Sequence, residues 1–260
     1  MLKIAANISL LFREIPLLER FRAARTAAFE GVEMQFPYAE SADDLARAAR
    51  LGGLPVILIN APILPGYPAG LAGRPEMRER FRAQLPQIVE YAHALNVRHV
   101  HVLAGLKESS HSLERCREVY AENLLLAADA LEPYGVGVLV EALNRFDVPN
   151  YLVGTLEDAQ LMLDRCRQRA QMQFDAYHVT RMGLDAAAEL QRWLPVVGHV
   201  QFADAPGRHE PGTGSVRFES LLDLLEVAGY DGWMSAEYLP LAGTAAGLAW
   251  LGRWRKRVAR

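Results

Sequence analysis

The stretch "VGVLVEALNRF", residues 136–146, runs through β-branched and apolar residues and then meets a carboxylate at Glu141. A short apolar run following Gly135 reads as a strand buried on both faces. The segment before it, "SLERCREVYAENLLLAADALEPYG" (112–135), carries apolar residues at the i, i+3, i+4 spacing of a helix that turns one face to a core. Working outward, the same alternation recurs. Strands are predicted in "KIAANIS" (3–9), "GVEMQF" (31–36), "PVILINAP" (55–62), "HVHVLAG" (99–105), "VGVLVEA" (136–142), "AQMQFDAY" (170–177), "GHVQFAD" (198–204) and "DGWMSAEY" (231–238). Amphipathic segments such as 77–96 and 217–230 lie between them. Ser41 and Thr155 stand where N-caps belong, and Gly52, Gly135 and Gly229 where helices stop.

Eight strand–helix units in about 250 residues match a (β/α)8 TIM barrel in number and length. A doubly wound open sheet is the rival, and it places a Gly-rich turn after its first strand. Here that turn is "NISLLFREIP" (7–16), which has no glycine. No linker, low-complexity tract or charge block divides the chain, so a single barrel domain over 1–260 is expected. The one long irregular segment, "APILPGYPAGLAGRPE" (61–76), follows the third strand and suits a lid or a substrate wall.

Composition narrows the partner. Of the 260 residues 51% are hydrophobic, enough for a sizeable core, and the net charge of -3 provides no overall positive field toward nucleic acid or anionic membrane. A small-molecule substrate is therefore expected. Cys116 and Cys166 sit apart in charge-rich helical segments and read as reduced thiols. The amino terminus turns polar too soon for a secretory signal, and no run reaches the roughly 20 apolar residues of a membrane span. A cytoplasmic enzyme is expected.

In this barrel class the active site lies at the carboxyl ends of the strands. The fifth to eighth strands offer Glu141, Asp175, Gln201 and Glu237 there. A lone strand-end acid is usually a helix cap or a solvated loop residue, but four oxygen donors in succession are harder to dismiss. Packed without a cation, three carboxylates repel one another and their pKa values rise; a divalent cation turns that repulsion into attraction. Hard oxygens without thiolate or imidazole favour Mg²⁺, with Mn²⁺ as the alternative. Two vicinal oxygens of a hydroxy-ketone suit the remaining positions of an octahedral ion. His178, Arg208 and Asp147 lie near the same strand ends and are candidate substrate contacts. Asp147 equally suits a turn, His178 a loop hydrogen bond and Arg208 a surface ion pair.

Together "AANISLLF", "EALNRFDVPNY", "QFDAYH", "HVQFADAPGRHEPGTG" and "GYDGWMSAEY" resemble the hydroxypyruvate isomerase family of the xylose isomerase-like barrel superfamily, over nearly the whole chain. A Gln on the seventh strand is more similar to this family than to the ketose 3-epimerases, which carry His there. The resemblance implies that Glu141, Asp175, Gln201 and Glu237 bind Mg²⁺ and that Glu141 and Glu237 move protons. One departure stands out: family members carry a Gly-Asp pair in the loop after the third strand, whereas this chain reads "NAPILPGYPAG" (60–70), without an acid.

The expected chemistry interconverts hydroxypyruvate and 2-hydroxy-3-oxopropanoate (tartronate semialdehyde) through an enediolate. A guanidinium such as Arg208 pairs well with a substrate carboxylate, which favours a small hydroxy-oxo acid. A 2-oxo-tetronate isomerase or a ketose 3-epimerase would use the same residues. From other classes, a DNA repair endonuclease needs additional His ligands at earlier strand ends, where Asn60 and "VLAG" stand, while His99 and His101 lie within a strand. The basic tail "LGRWRKRVAR" (251–260) reads as a solvated terminal helix, and "GTGSV" (212–216) as a tight turn. A non-catalytic sugar-acid-binding barrel is the remaining alternative. Trp250 and Trp254 suit either a homo-oligomer contact or packing on the barrel.

Overall fold

A computed structural model of the chain describes residues 2–107 and 110–258. Its strands are β1 (Lys3–Asn7), β2 (Gly31–Met34), β3 (Val56–Asn60), β4 (His99–His101), β5 (Gly137–Glu141), β6 (Gln171–Asp175), β7 (Val197–Phe202) and β8 (Trp233–Ala236). They form a closed parallel barrel in chain order, which excludes the doubly wound alternative. The helices include α1 (Leu17–Thr26), α2 (Ala42–Gly52), α3 (Arg78–Leu95), α4 (Leu113–Leu131), α5 (Leu156–Arg165), α6 (Ala176–Arg181), α7 (Ala186–Trp193), α8 (Phe218–Val227) and α9 (Ala249–Val258). None among the described residues is long and apolar enough to cross a membrane.

The chain divides into two compact units, one comprising Met1–Met34, Arg47–Ile57 and Phe174–Arg260, the other Gln35–Ala46 and Leu58–Gln173. In the first, β1 pairs with β2 (Ala6↔Val32) and with β8 (Ala6↔Ala236), and β7 pairs with β8 (Gln201↔Ser235). Ala5, Ile57 and Trp233 pack together in its core. Trp250 and Trp254 of α9, left open by the sequence, are 1% and 4% exposed. They pack on Phe202 with ring centroids 5.3 and 5.1 Å away, and Trp250 Nε1 donates to the Tyr238 hydroxyl at 3.1 Å. Burying a large apolar side chain in this way stabilises by roughly 1.5–3 kcal/mol. Packing thus consumes both indoles. The tail is helical to Val258, as expected, while Ala259 and Arg260 lie outside the described residues.

One helix stop differs from expectation. Helix α2 includes Gly52, and the left-handed turn falls on Gly53 at φ +65°. Gly52 answers a different need: a Cβ there would come within 2.9 Å of Phe21 Cβ. Gly135 and Gly229 take the positive φ expected of them.

In the second unit β3 pairs with β4 (Asn60↔His101), β4 with β5 (His101↔Leu139) and β5 with β6 (Glu141↔Gln173). The expected caps are present. Ser41 Oγ accepts from Asp44 N and Thr155 Oγ1 from Asp158 N, both at 3.1 Å; Ser112 caps α4 in the same way. Asp158 is held in turn by Arg117 at 2.6 Å. The 61–76 loop is packed in its second half, where Gly73 N donates to Ala104 O and Asn123 Nδ2 to Ala72 O at 2.7 Å. Cys116 and Cys166 are buried and in no disulfide among the described residues.

Thr155→Ala removes one capping acceptor and should cost about 1 kcal/mol, lowering the Tm by about 2–4 °C. Thr155→Ser, which keeps the hydroxyl, should recover most of that loss in the same thermal melts.

Candidate active site

Four carboxylates of the first unit are buried: Glu33 on β2, Asp175 at the end of β6, Asp204 two residues beyond β7, and Glu237 one residue beyond β8. A charge taken out of water must be paired or hydrogen-bonded. Glu33, 0% exposed, meets that demand fully. Its Oε1 accepts from Asn7 Nδ2 at 3.0 Å and from Gln201 Nε2 at 2.6 Å, and its Oε2 lies 2.8 Å from His199 Nε2. Burial pushes its pKa up, but the bonds from His199 and Gln201 and the charge of His199 outweigh it, so the carboxyl sits below the usual range. An ionised carboxylate only accepts; His199 Nε2 therefore donates. His199 and Gln201 alternate on β7 and so share one face of the strand.

Asn7 joins two of the acids. Its Oδ1 accepts from Ser9 N at 3.1 Å, which fixes the amide with Nδ2 toward Glu33 Oε1 and Glu237 Oε1, the latter at 2.9 Å. Glu237 Oε2 takes Arg208 Nη2 at 2.5 Å. Arg208 comes from the loop after β7, and that loop is wound around the buried Asp204. Asp204 Oδ1 accepts from the amides of Ala205 and Val216, and Oδ2 from those of Gly212 and Thr213, at 2.8–3.0 Å. The "GTGSV" segment is therefore a turn closed on an aspartate. Arg208 holds φ +57°, and its guanidinium stands 5.0 Å above the Tyr177 ring.

Asp175 is the least compensated acid. Its Oδ1 accepts from Tyr177 N at 2.8 Å, capping α6. Its Oδ2 is buried and accepts no hydrogen bond among the described residues. Arg208 Nη2 and His178 Nε2 both stand 3.6 Å from it. Burial pushes its pKa up to about 7; Arg208 pulls it down, and Glu237 and Glu33 push it further up.

In the second unit Glu141 ends β5, 4% exposed, with its Oε2 3.5 Å from His101 Nδ1. His101 is buried within β4, as the sequence suggested. Asp147 is exposed in the following turn, where Asn144 Nδ2 donates to its Oδ2 and Asn144 Oδ1 accepts from its amide, both at 3.0 Å. That is the turn-forming role the sequence had left open.

Asp175, His178, Gln201, Arg208 and Glu237 thus fall in one unit, with Asp175 and Glu237 meeting at Arg208 and Gln201 linked to Glu237 through Glu33 and Asn7. Gln201 lies one residue before the end of β7 rather than at it. Sequence reasoning missed Glu33, Asn7 and His199. The available signals were an acid inside an apolar strand, "GVEM", and the H-x-Q alternation of β7.

The sequence model of a family described as xylose isomerase-like TIM barrel matches residues 21–254. The chain is 38% identical over 257 residues to the 2-oxo-tetronate isomerase of Cupriavidus necator, covering 96% of this chain and 97% of that protein. It is 34% identical over 258 residues to the hydroxypyruvate isomerase of Escherichia coli, covering 98% and 100% respectively. A crystal structure from Brucella melitensis, described as an AP endonuclease of family 2, superposes with a TM-score of 0.92 at 37% identity, covering 98% of this chain and 99% of that one.

Two outcomes follow for the metal-free protein. Arg208→Met removes the guanidinium that lowers Asp175's pKa, so the carboxyl should titrate above its starting point of about 7 in ¹³C NMR. A buried acid with a raised pKa favours the folded state only while neutral, so its contribution to stability declines as pH rises from the ordinary carboxylate range to about 7. Asp175→Asn is neutral throughout and should flatten that part of the stability–pH curve.

Proposed function

The chain belongs to the xylose isomerase-like TIM barrel family, and from that premise we propose that it is a divalent-cation-dependent isomerase of small hydroxy-oxo acids. The observation that carries this reading is the pairing of two buried carboxylates, Asp175 and Glu237, with one partly exposed guanidinium, Arg208. Acid–base groups and a substrate-carboxylate clamp then belong to one site. The names of the near-full-length relatives support the same substrate class.

Glu141, Asp175, Gln201 and Glu237 would hold the cation. The fit is supported by the buried Asp175 Oδ2, which accepts no hydrogen bond among the described residues; the four proposed donors are hard oxygens, with the His178 imidazole 3.6 Å from Asp175 Oδ2 beside them. When bound, a hard dication, Mg²⁺ before Mn²⁺, polarises the substrate's adjacent hydroxyl and carbonyl oxygens and so acidifies the C–H bond.

With hydroxypyruvate as the lead substrate, one carboxylate of the Glu141 and Glu237 pair removes a proton from C3, and the resulting enediolate regains a proton at C2. The hydroxyl proton passes from O3 to O2, and the product is 2-hydroxy-3-oxopropanoate. Glu237 is suited to this task because Asn7 and Arg208 fix its orientation before substrate arrives. Arg208 orients the substrate carboxylate by exchanging part of its contact with Glu237. His178, buried beside Asp175, contacts a substrate oxygen. A four-carbon 2-oxo-tetronate extends the same scheme by one carbon.

In deuterated buffer with Mg²⁺ or Mn²⁺, NMR should show solvent deuterium entering hydroxypyruvate or 2-oxo-tetronate. Glu141→Gln and Glu237→Gln should each slow that exchange by roughly 10²–10⁴-fold with unchanged circular dichroism. Absence of exchange across a panel of hydroxy-oxo acids and ketoses would favour a non-catalytic binding barrel; tight, salt-sensitive binding to duplex DNA would favour a nuclease.

A further inference from the structure

The proposed chemistry leaves Glu33 without a task, yet both of its carboxylate oxygens are engaged by side chains. A pair with His199 alone would occupy only Oε2. Oε1 instead receives two side-chain amides, Asn7 Nδ2 at 3.0 Å and Gln201 Nε2 at 2.6 Å. An amide has a donor end and an acceptor end of almost equal size, so its orientation needs a cause. For Gln201 the cause is Glu33: an acceptor-only partner takes the nitrogen and turns the oxygen away from itself. For Asn7 the orientation is fixed from both ends, by Ser9 N on Oδ1 and by Glu33 on Nδ2, and the same nitrogen then reaches Glu237 Oε1 at 2.9 Å.

Resting on the reading above, we propose that Glu33 is a positioning residue that orients Gln201 as an oxygen donor directly and Glu237 through Asn7. Hydrogen-bond partners of metal ligands set ligand orientation, and their loss weakens metal binding on the order of 10–100-fold. Glu33→Gln presents an amide that can offer its own N–H groups to Gln201 and His199, so the preference for Gln201's oxygen-outward orientation is lost.

The test is a calorimetric Mn²⁺ titration of the full chain. E33Q should bind Mn²⁺ more weakly by on the order of 10–100-fold. Adding Q201E to E33Q should recover most of that loss, because a carboxylate carries an oxygen at each end and needs no orienting partner. Q201E alone measures what the added charge contributes: a gain in the E33Q background clearly larger than the gain in wild type supports the orienting role, and equal gains mean a merely structural one. E33Q affinity within about twofold of wild type, against that 10–100-fold loss, would overturn the proposal, as would failure of Q201E to recover it. Should E33Q not fold, the side-chain amide protons of Gln201 in the wild-type chain decide the matter. One proton shifted downfield and protected by a carboxylate acceptor supports the assignment; a solvent-averaged pair overturns it. Should wild-type protein take up no Mn²⁺, the cation reading fails by itself, and the amide signal still judges Glu33.

Discussion

Charge out of water is the constraint around which this site is built. Glu33, Asp175 and Glu237 are each at most 4% exposed, and an ion in such surroundings is stable only with its lone pairs occupied or its charge opposed. The chain meets this with neutral amides, an imidazole and a single guanidinium. Glu33 takes Asn7, Gln201 and His199; Glu237 takes Asn7 and Arg208. Of these three, Asp175 keeps a buried oxygen that accepts no hydrogen bond among the described residues, and burial is the main cause of its raised pKa.

The surrounding backbone is organised to hold these groups still. Asp204 gathers four amides and so fixes the loop that presents Arg208, while Leu239 N donates to Arg208 O at 2.8 Å from the segment after Glu237. The two residues that contact each other most closely in the site, Arg208 and Glu237, are therefore tied together through their backbones as well. Behind them, Trp250 and Trp254 pack on Phe202 of β7, the strand that carries His199 and Gln201. A side chain on a strand packed in this way has little freedom to drift.

The amino-acid sequence by itself determined the alternation. Hydrophobic runs of strand length, amphipathic segments of helical period, and caps at Ser41 and Thr155 all act over a few residues, so local physics sufficed to read eight strands and their order. The strand-end acids Glu141 and Asp175 were legible for the same reason: a carboxylate at the end of an apolar run needs an explanation that can be seen without coordinates. Tertiary structure decided what lay beyond that range. Glu33 sits inside β2 among apolar neighbours and looked like ordinary strand composition, because its partners Asn7, His199 and Gln201 come from strands 26 to 168 residues away in the chain. The turn after α2 moved from Gly52 to Gly53 because a close approach of Phe21, not a local preference, claims Gly52. Packing claimed Trp250 and Trp254, and the Asn144 turn engaged Asp147, through contacts or geometry that composition does not encode. Periodicity is a property of neighbours in sequence; compensation of buried charge is a property of neighbours in space, and only the folded chain brings those together.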